Sequence, residues 1–342
     1  MNDQPSGDML RFVIAGCLNR DFVLPLSGPP LLDAFGGGLP YASIGLNIWG
    51  ETSGLMARVG KEYPLEWLER LKLLGFDLSG IRVATAPIEA RRFRAYTDFN
   101  TLHTQYPVRH FAARNLTFPP ELLGFQGNEI GAPSISSPSH QSLQISDVPD
   151  AYLEVSAIHI CPIDLYSHMI LPAVFRQGQA TTITLASDPG YMTPVYWEEI
   201  PKLLSDLTAF ITTEEEVKNL FQGRQTDLWK MAADLGQLGP EFVVIQTEAW
   251  GYCLFDTHNG KRWMIPEYQS RITDPTGSKD AFAGGFLAGY RKNYDPLEAA
   301  LWGSVAASLV VEGSGVYYAL DAMPGLRDAR LLALRELVRE VT

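Results

Sequence analysis

The chain contains few cysteines, and they are widely separated. Only three of its 342 residues are cysteine, at positions 17, 161 and 253, and no two of them form a CxxC pair. This spacing argues against a disulfide framework and against the common zinc sites. Each cysteine lies in or beside an apolar run, so the sequence predicts reduced, buried thiols in a cytosolic protein.

Basic residues are also scarce. Lysine and arginine together number 27, against 39 aspartates and glutamates, which gives a formal net charge of −12. A protein this acidic is not expected to bind nucleic acid or an anionic membrane as its main partner. No apolar stretch approaches the length of a membrane span, and the first residues lack the apolar core of a signal peptide. We therefore expect a cytoplasmic protein.

The apolar residues that are present follow the pattern of an α/β fold. Strand-like runs such as VSAIHICPID, ATTITLASDPG and EFVVIQTEAWG alternate with helical segments near 165–177, 195–206, 214–221 and 226–236. This alternation predicts a mostly parallel sheet between layers of helices. Residues 81–111 read as an antiparallel hairpin or flap, and the polar, glycine-rich residues 124–150 read as a loop insertion.

The stretch DPTGSKDAFAGG at 274–285 has the features of an anion site at the start of a helix. Pro275 fixes the backbone, Gly277 permits a tight turn, and the amides of residues 277–280 are expected near the helix N-terminus. Asp280 in that first turn has two interpretations. It can accept a proton from a hydroxyl while the amides hold a phosphate, or it can simply stabilise the start of its helix.

The same stretch resembles the C-terminal signature of the PfkB (ribokinase-like) family of carbohydrate and nucleoside kinases. Further segments follow the family's order along residues 10–325: GCLNRD, FGGGLPYASIGLNIWG, RVGKEYP, FITTEEEV and VEGSGV. The resemblance implies a three-layer α/β/α sandwich with a mostly parallel central sheet and a small β lid. It implies a polar leader at 1–9 and one domain at 10–342, with lid elements at about 35–45 and 81–115.

The resemblance also assigns roles to residues of this sequence. It implies that Asp280 is the catalytic base, that the amides of Gly277, Ser278 and Lys279 form the anion hole, and that Glu216 organises Mg²⁺ through water. The implied substrate-binding residues are Asp21, Gly36, Gly37, Tyr41 and Arg92. The implied nucleotide-binding residues are Thr213, Thr247, Glu248, Ser304 and Gly315, and Asp274 with Thr276 are candidates for a monovalent-cation site.

Several positions differ from the family pattern. Lys279 replaces a glycine and Glu248 stands where a glycine is usual, both on the phosphate side of the implied site. Tyr41, Thr213 and Ser304 replace asparagines that are frequent there. These differences motivate a second hypothesis, in which the protein is a weak or inactive family member that binds a small metabolite as a sensor or scaffold.

The first hypothesis remains an enzyme. It is a PfkB-type kinase that uses ATP and Mg²⁺, with K⁺ as a further candidate ion, to phosphorylate a hydroxyl of a sugar or sugar-like molecule. Within kinases, a nucleoside is the second choice of substrate. The resemblance is compatible with one subunit acting alone and with a homodimer formed through the lid.

Overall fold

The computed structural model describes residues 10–127, 134–247 and 251–341, and within them it contains two β-sheets and ten α-helices. The strands are β1 (Phe12–Ala15), β2 (Asn19–Leu24), β3 (Leu31–Gly36), β4 (Gly54–Val59), β5 (Asp77–Val83), β6 (Arg91–Tyr96), β7 (Leu102–His103), β8 (Ala157–Ile160), β9 (Thr182–Ala186), β10 (Ala209–Thr213), β11 (Phe242–Thr247), β12 (Gly251–Asp256), β13 (Arg262–Ile265) and β14 (Arg339–Glu340). The helices are α1 (Gly38–Asn47), α2 (Glu69–Leu73), α3 (Pro107–Ala113), α4 (Leu165–Gln177), α5 (Ile200–Leu204), α6 (Glu214–Leu220), α7 (Leu228–Gly236), α8 (Ser278–Asn293), α9 (Pro296–Val310) and α10 (Leu326–Arg335).

The larger sheet has ten strands in the order β14-β13-β12-β11-β10-β9-β8-β1-β4-β5. The seven strands from β11 to β5 in that order are all parallel, and β12, β13 and β14 continue the sheet in antiparallel fashion. Parallel strands joined by helical crossovers are buried on both faces. Their carboxyl ends therefore meet at one edge of the sheet.

Each face of this sheet packs against helices. In β1, which lies between β8 and β4, Ile14 packs into the core beneath α1, α8 and α9, whereas Val13 and Ala15 pack into the core beneath α4 to α7. Because successive side chains of a strand point to opposite faces, one apolar strand supplies both cores. The result is a three-layer α/β/α sandwich.

A second sheet of four strands, in the order β3-β2-β6-β7, lies beside this sandwich. It has a small core of its own, which includes Phe22, Phe93 and Phe111. The connection after β2 is tied to the body of the protein, because the amide of Leu26 donates to the carbonyl of Thr273 at 3.0 Å. We call this sheet the lid sheet.

The predicted fold class is confirmed, with a mostly parallel sheet, helices on both faces and a separate small sheet. The run LRFVIAGCLNRDFVL at 10–24 predicts a first strand that ends in a polar turn at Asn19–Asp21. This local expectation is wrong, because Asn19–Asp21 is the beginning of β2 in the lid sheet. Of the segments expected in the lid, β6 and β7 belong to the lid sheet, while β5 lies at the edge of the main sheet and α1 in a helix layer.

Three segments named from the sequence fall partly or wholly outside the described residues: the leader 1–9, residues 128–133 of the loop insertion, and Glu248. Within the described part of the loop insertion, Leu143 is fully buried in the core beneath α4. Among the described residues, no helix has the length and apolar character needed to cross a lipid bilayer.

Candidate active site

The carboxyl ends of four parallel strands and the start of one helix converge at the edge of the main sheet. Strands β1, β8, β9 and β10 all end there, and α8 packs against β8 and β9 with its first turn at that edge. In open α/β sheets, ligands bind in the crevice beyond these strand ends. The candidate site is therefore defined by topology before any side chain is considered.

The start of α8 has the backbone geometry of an anion site. Gly277 is the N-cap residue with a φ of 80°, a left-handed conformation that favours glycine. A Cβ atom at this position would lie 2.1 Å from the ring of Tyr41 in α1, so the close packing of that ring also requires glycine. The amide of Ser278 donates to the Pro275 carbonyl. Among the described residues, the amides of Gly277, Lys279 and Asp280 have no acceptor.

Asp280 does not cap its helix. Its residue surface is half-buried, yet its Oδ1 atom is inaccessible to solvent and has no hydrogen-bond partner within the described residues. This oxygen faces Gly38 of α1, where an added Cβ would lie 2.9 Å from it. Burial raises the pKa of the Asp280 carboxyl, and the cations of Lys279 and Arg94 partly oppose that rise. An unpaired carboxylate oxygen in a water-poor position is suited to accept a proton from a hydroxyl.

Lys279 reaches from the first turn of α8 to the strand ends. It lies in regular helix, with no positive φ, and its Nζ atom lies 3.0 Å from Glu216 Oε1 and 3.2 Å from the Ser187 carbonyl oxygen. Burial alone would lower the pKa of the Lys279 ammonium, but the neighbouring carboxylates of Glu216, Asp280 and Asp188 outweigh this effect and raise it. Lysine is therefore accommodated here without backbone strain, as a charged group.

Glu216 is held firmly at the start of α6. Its Oε2 atom accepts hydrogen bonds from the Ser187 hydroxyl at 2.6 Å and from the Thr213 amide at 2.9 Å, and the Thr213 hydroxyl accepts from the Glu216 amide to complete a capping box. Burial favours the neutral acid, but Lys279 and these hydrogen bonds lower the pKa of Glu216 overall. Glu216 is thus an oriented, ionised carboxylate. Nearby, burial raises the pKa of Asp188 to about 6.

The lid side of the site is centred on Asp21 in β2. This residue is 2% exposed, and its Oδ1 atom accepts a 2.7 Å hydrogen bond from Arg94 in β6. Its Oδ2 atom is buried without a hydrogen-bond partner in the described part of the chain. Gly36 at the end of β3 passes so close that a Cβ atom there would lie 2.0 Å from Oδ2. Gly37 follows as the N-cap residue of α1.

Arg92, the arginine assigned to substrate binding, is engaged differently. It donates to the backbone carbonyls of Glu89 and Arg91 and, at 3.2 Å, to the side chain of Gln141. Arg94 is the residue that contacts Asp21, and the sequence-based assignment missed it. The two-residue period of a strand places positions 92 and 94 on one face of β6, so both arginines were candidates and the sequence held no signal that chose between them.

A narrow cavity of about 20 Å³ lies beside the α8 N-terminus. It is lined by Ser278 of α8, Ser304 of α9, Glu267 and the lid residue Phe99, among others. Two residues assigned to nucleotide binding lie apart from this cavity lining: Thr213 caps α6, and Thr247 ends β11 with its hydroxyl bonded to the Gly251 carbonyl.

The loops beside the site complete the set of assigned residues. Gly315 has a φ of 93° and open space at its Cβ position, whose nearest neighbour is a Leu31 methyl at 3.9 Å. Asp274 is 1% exposed; its Oδ1 atom accepts from the Thr276 amide at 3.0 Å, while Oδ2 is buried without a partner in the described residues. The Thr276 hydroxyl donates to Tyr96 of the lid at 3.2 Å. Asp274 and Thr276 therefore lie where the lid meets the start of α8.

A match to a sequence family identifies the family of this chain. Residues 140–323, more than half of the chain, match the sequence model of the family described as pfkB family carbohydrate kinase. The chain belongs to this family. It is thus a phosphotransferase whose acceptor is a hydroxyl group, and the resemblance drawn from the sequence motifs is confirmed.

Individual relatives of this pfkB-family chain include nucleoside kinases. It is 25% identical over 295 residues to a cytidine kinase of Thermococcus kodakarensis, and the aligned region covers 85% of this chain and 91% of the relative. It is 31% identical over 134 residues to a nucleoside kinase of Methanocaldococcus jannaschii, covering 37% of this chain and 41% of the relative.

Solved structures show the same fold at low sequence identity. A nucleoside kinase of Burkholderia thailandensis in complex with inosine superposes with a TM-score of 0.64 at 18% identity, covering 94% of this chain and 96% of that one. An Escherichia coli protein described as a candidate Ribokinase II, in complex with ATP and Mg²⁺, gives 0.66 at 16% identity, with coverages of 95% and 99%. These likenesses confirm the ribokinase-like fold.

Proposed function

We propose that this protein is an ATP-dependent kinase that phosphorylates a ribose hydroxyl of a nucleoside, with Asp280 as the general base. The observation that carries the proposal is the Oδ1 atom of Asp280, buried and unpaired beside the amides of Gly277 and Lys279. A base for the attacking hydroxyl and fixed donors for the developing negative charge are the two requirements of phosphoryl transfer to an alcohol.

In this proposal, one group accepts the proton of the acceptor hydroxyl and other groups bind the phosphoryl group that is transferred. Asp280 accepts the proton of the hydroxyl as that oxygen attacks the terminal phosphorus of ATP; the bond from this phosphorus to the bridging oxygen breaks, and ADP leaves. The amides at the start of α8, reinforced by the helix dipole, stabilise the negative charge on the transferred group. Lys279 favours this chemistry because its charge lowers the pKa of Asp280 against the effect of burial.

The acceptor is proposed to lie beneath the lid sheet. Asp21 offers its unpaired Oδ2 to a pair of sugar hydroxyls, and Gly36 leaves room for them by lacking a Cβ atom. Arg94 fixes the orientation of the Asp21 carboxylate. The sequence alone favoured a sugar over a nucleoside; the cytidine kinase and nucleoside kinase relatives reverse that order. A free sugar is the second candidate, favoured by the description of the family as carbohydrate kinases.

The donor nucleotide is proposed to lie along the α8 N-terminus on the side of Ser278 and Ser304, where the narrow cavity marks the start of its binding cleft. Magnesium would be held by the nucleotide phosphates, with Glu216 and Asp188 as water-mediated partners, and it would neutralise phosphate charge. The residues present fit such an ion, since Glu216 and Asp188 offer two carboxylates close to Lys279 and Mg²⁺ is commonly held by one or two carboxylates together with phosphates.

A monovalent cation is proposed beside the α8 N-terminus. The unpaired, buried Oδ2 atom of Asp274 fits such an ion, because an isolated buried carboxylate is costly without a cation. Consistent with this, burial raises the pKa of Asp274. Comparing activity in potassium chloride and in tetramethylammonium chloride at equal ionic strength tests the site; equal rates would contradict it.

A screen of ADP release across nucleosides, sugars and sugar phosphates tests the main proposal. We expect turnover with ATP and at least one nucleoside, and none with sugar phosphates. Thermal stabilisation by a nucleoside or polyol, with no effect of any nucleotide and no ADP release, would instead support the inactive binder. The comparisons lend that alternative no support.

A further inference from the structure

Lys279 brings a cation to the end of the site where phosphate is expected. Its side chain is 18% exposed and extends from the first turn of α8 to the carboxyl ends of β9 and β10, where it meets Ser187 and Glu216. The amide of the same residue belongs to the anion site at the helix start. Backbone donor and side-chain cation therefore border the same space.

The surroundings of this ammonium are strongly acidic. Glu216, Asp280 and Asp188 all act electrostatically on Lys279. Within the described residues, a triphosphate entering this space meets these three carboxylates and Lys279, while the other nearby cation, Arg94, is paired with Asp21. Repulsion between like charges at a few ångströms in a partly buried site is worth several kcal/mol at an effective dielectric constant of about 20. The nucleotide therefore needs positive charge here, from the protein or from a metal ion.

The hydrogen-bonding capacity of Lys279 is not exhausted by its protein partners. An ammonium has three N–H donors. The Ser187 carbonyl accepts one and Glu216 Oε1 accepts another at 3.0 Å, whereas the third contact, to Glu216 Oε2, is long at 3.4 Å. No other acceptor among the described residues contacts Nζ. The N–H that makes this long contact can turn to a phosphate oxygen.

We propose that Lys279 donates a hydrogen bond to the terminal phosphate of the nucleotide and acts as a built-in counter-charge that partly replaces magnesium in nucleotide binding. The inference rests on the proposed kinase function. Glu216 and Ser187 act as positioning residues, since they hold the ammonium at the strand ends. A lysine that served only to pair with Glu216 would affect folding and leave the metal dependence of nucleotide binding unchanged.

Calorimetric titration with a non-hydrolysable imido analogue of ATP, and separately with ADP, tests this role. Each is measured in excess Mg²⁺ and in EDTA, for the wild type and for Lys279→Met. Loss of one charge-assisted hydrogen bond predicts about 10- to 100-fold weaker binding of the analogue to the variant in EDTA. We expect ADP, which lacks the terminal phosphate, to change by less than about threefold, the effect of a more distant charge. In excess Mg²⁺ the loss for the analogue should be much smaller.

Two further variants control the measurement. Lys279→Arg keeps the charge and should retain analogue binding in EDTA. Lys292→Met removes an exposed lysine from the last turn of the same helix, about 20 Å away, and should bind like the wild type. If Lys279→Met does not fold by circular dichroism, Lys279→Gln replaces it with the same expectation.

The outcomes separate this inference from the proposed function. If the wild type binds the analogue and Lys279→Met binds it equally well in EDTA, the inference is wrong and the kinase proposal stands. Equal losses for the analogue and for ADP, or equal losses with and without Mg²⁺, would leave Lys279 a purely structural role. If the wild type binds no nucleotide under any condition, the proposed function fails and the inference fails with it.

Discussion

Replacing Asp280 by asparagine should separate catalysis from folding. The substitution keeps the size of the side chain but removes the oxygen that can accept a proton. A positioned general base contributes about 10²- to 10⁴-fold to a rate, or roughly 3–5 kcal/mol of transition-state stabilisation. We therefore expect kcat of Asp280→Asn to fall by about that factor, with a much smaller change in KM for ATP.

The same substitution should not destabilise the protein at neutral pH. Burial raises the pKa of Asp280 in the folded state, so the folded state disfavours the ionised carboxyl. Its contribution to stability is fully present below the unfolded-state pKa of about 3.9 and is lost as the pH rises through the higher folded-state pKa. Asparagine does not ionise. The free energy of unfolding of Asp280→Asn, relative to the wild type, should increase from pH 4 to pH 8.

Coupled ADP-release kinetics and urea denaturation at the two pH values measure both effects. The matched control is Asp227→Asn at the exposed N-cap of α7, because asparagine caps a helix as well as aspartate does. This control should leave kcat and stability unchanged. If kcat of Asp280→Asn lies within tenfold of the wild type, Asp280 is not the base. If the variant is less stable than the wild type by an amount that grows towards pH 8, burial does not raise the pKa of Asp280 as argued above.

Two further substitutions test the surroundings of the base. Gly277→Ala should lower the free energy of unfolding by about 2–4 kcal/mol, because alanine is strained at a left-handed φ and its Cβ atom would clash with Tyr41. The control is Gly325→Ala, at a φ of 81° with nothing within 4 Å of its Cβ position. In urea denaturation it should lose only the part of the free energy that comes from the left-handed φ. Arg94→Met should leave the buried Asp21 carboxylate unpaired, costing about 3 kcal/mol and raising KM for the acceptor more than it lowers kcat. Steady-state kinetics would contradict this if kcat alone changed.

The parts of the molecule that the sequence predicted are those fixed by local pattern. The alternation of apolar runs and helical segments predicted the parallel sheet, because the covering helices require it. Pro275 and the turn-forming Gly277 predicted where α8 begins, and Gly277 is indeed its left-handed N-cap. In these cases the physical constraint acts within a few residues, so it can be recognised in the amino-acid sequence.

The contacts that the sequence did not reveal join distant segments. Lys279 and Glu216 are 63 positions apart, and only the convergence of α8 with β9 and β10 brings them together. Likewise, the choice between Arg92 and Arg94 depends on how β2, which carries Asp21, pairs with β6, and the alternation within β6 does not settle it. Asp21 itself was expected at the end of β1, but the chain turns into the lid sheet before reaching it.

Lys279, the lysine in the GSKD turn, adds a positive charge to the anion site at the start of α8 and does not disrupt that site. Its helical backbone conformation leaves the first turn of α8 intact, with the amides of Lys279 and Asp280 still available to an anion. Its ammonium is held by Glu216, a carboxylate that the family resemblance assigns to organising magnesium. A glycine at this position would leave that carboxylate without its cation and the site more dependent on the metal. The replacement of glycine by Lys279 and the role of Glu216 are therefore linked through one ion pair. Measuring nucleotide binding in EDTA tests the proposed roles of both residues.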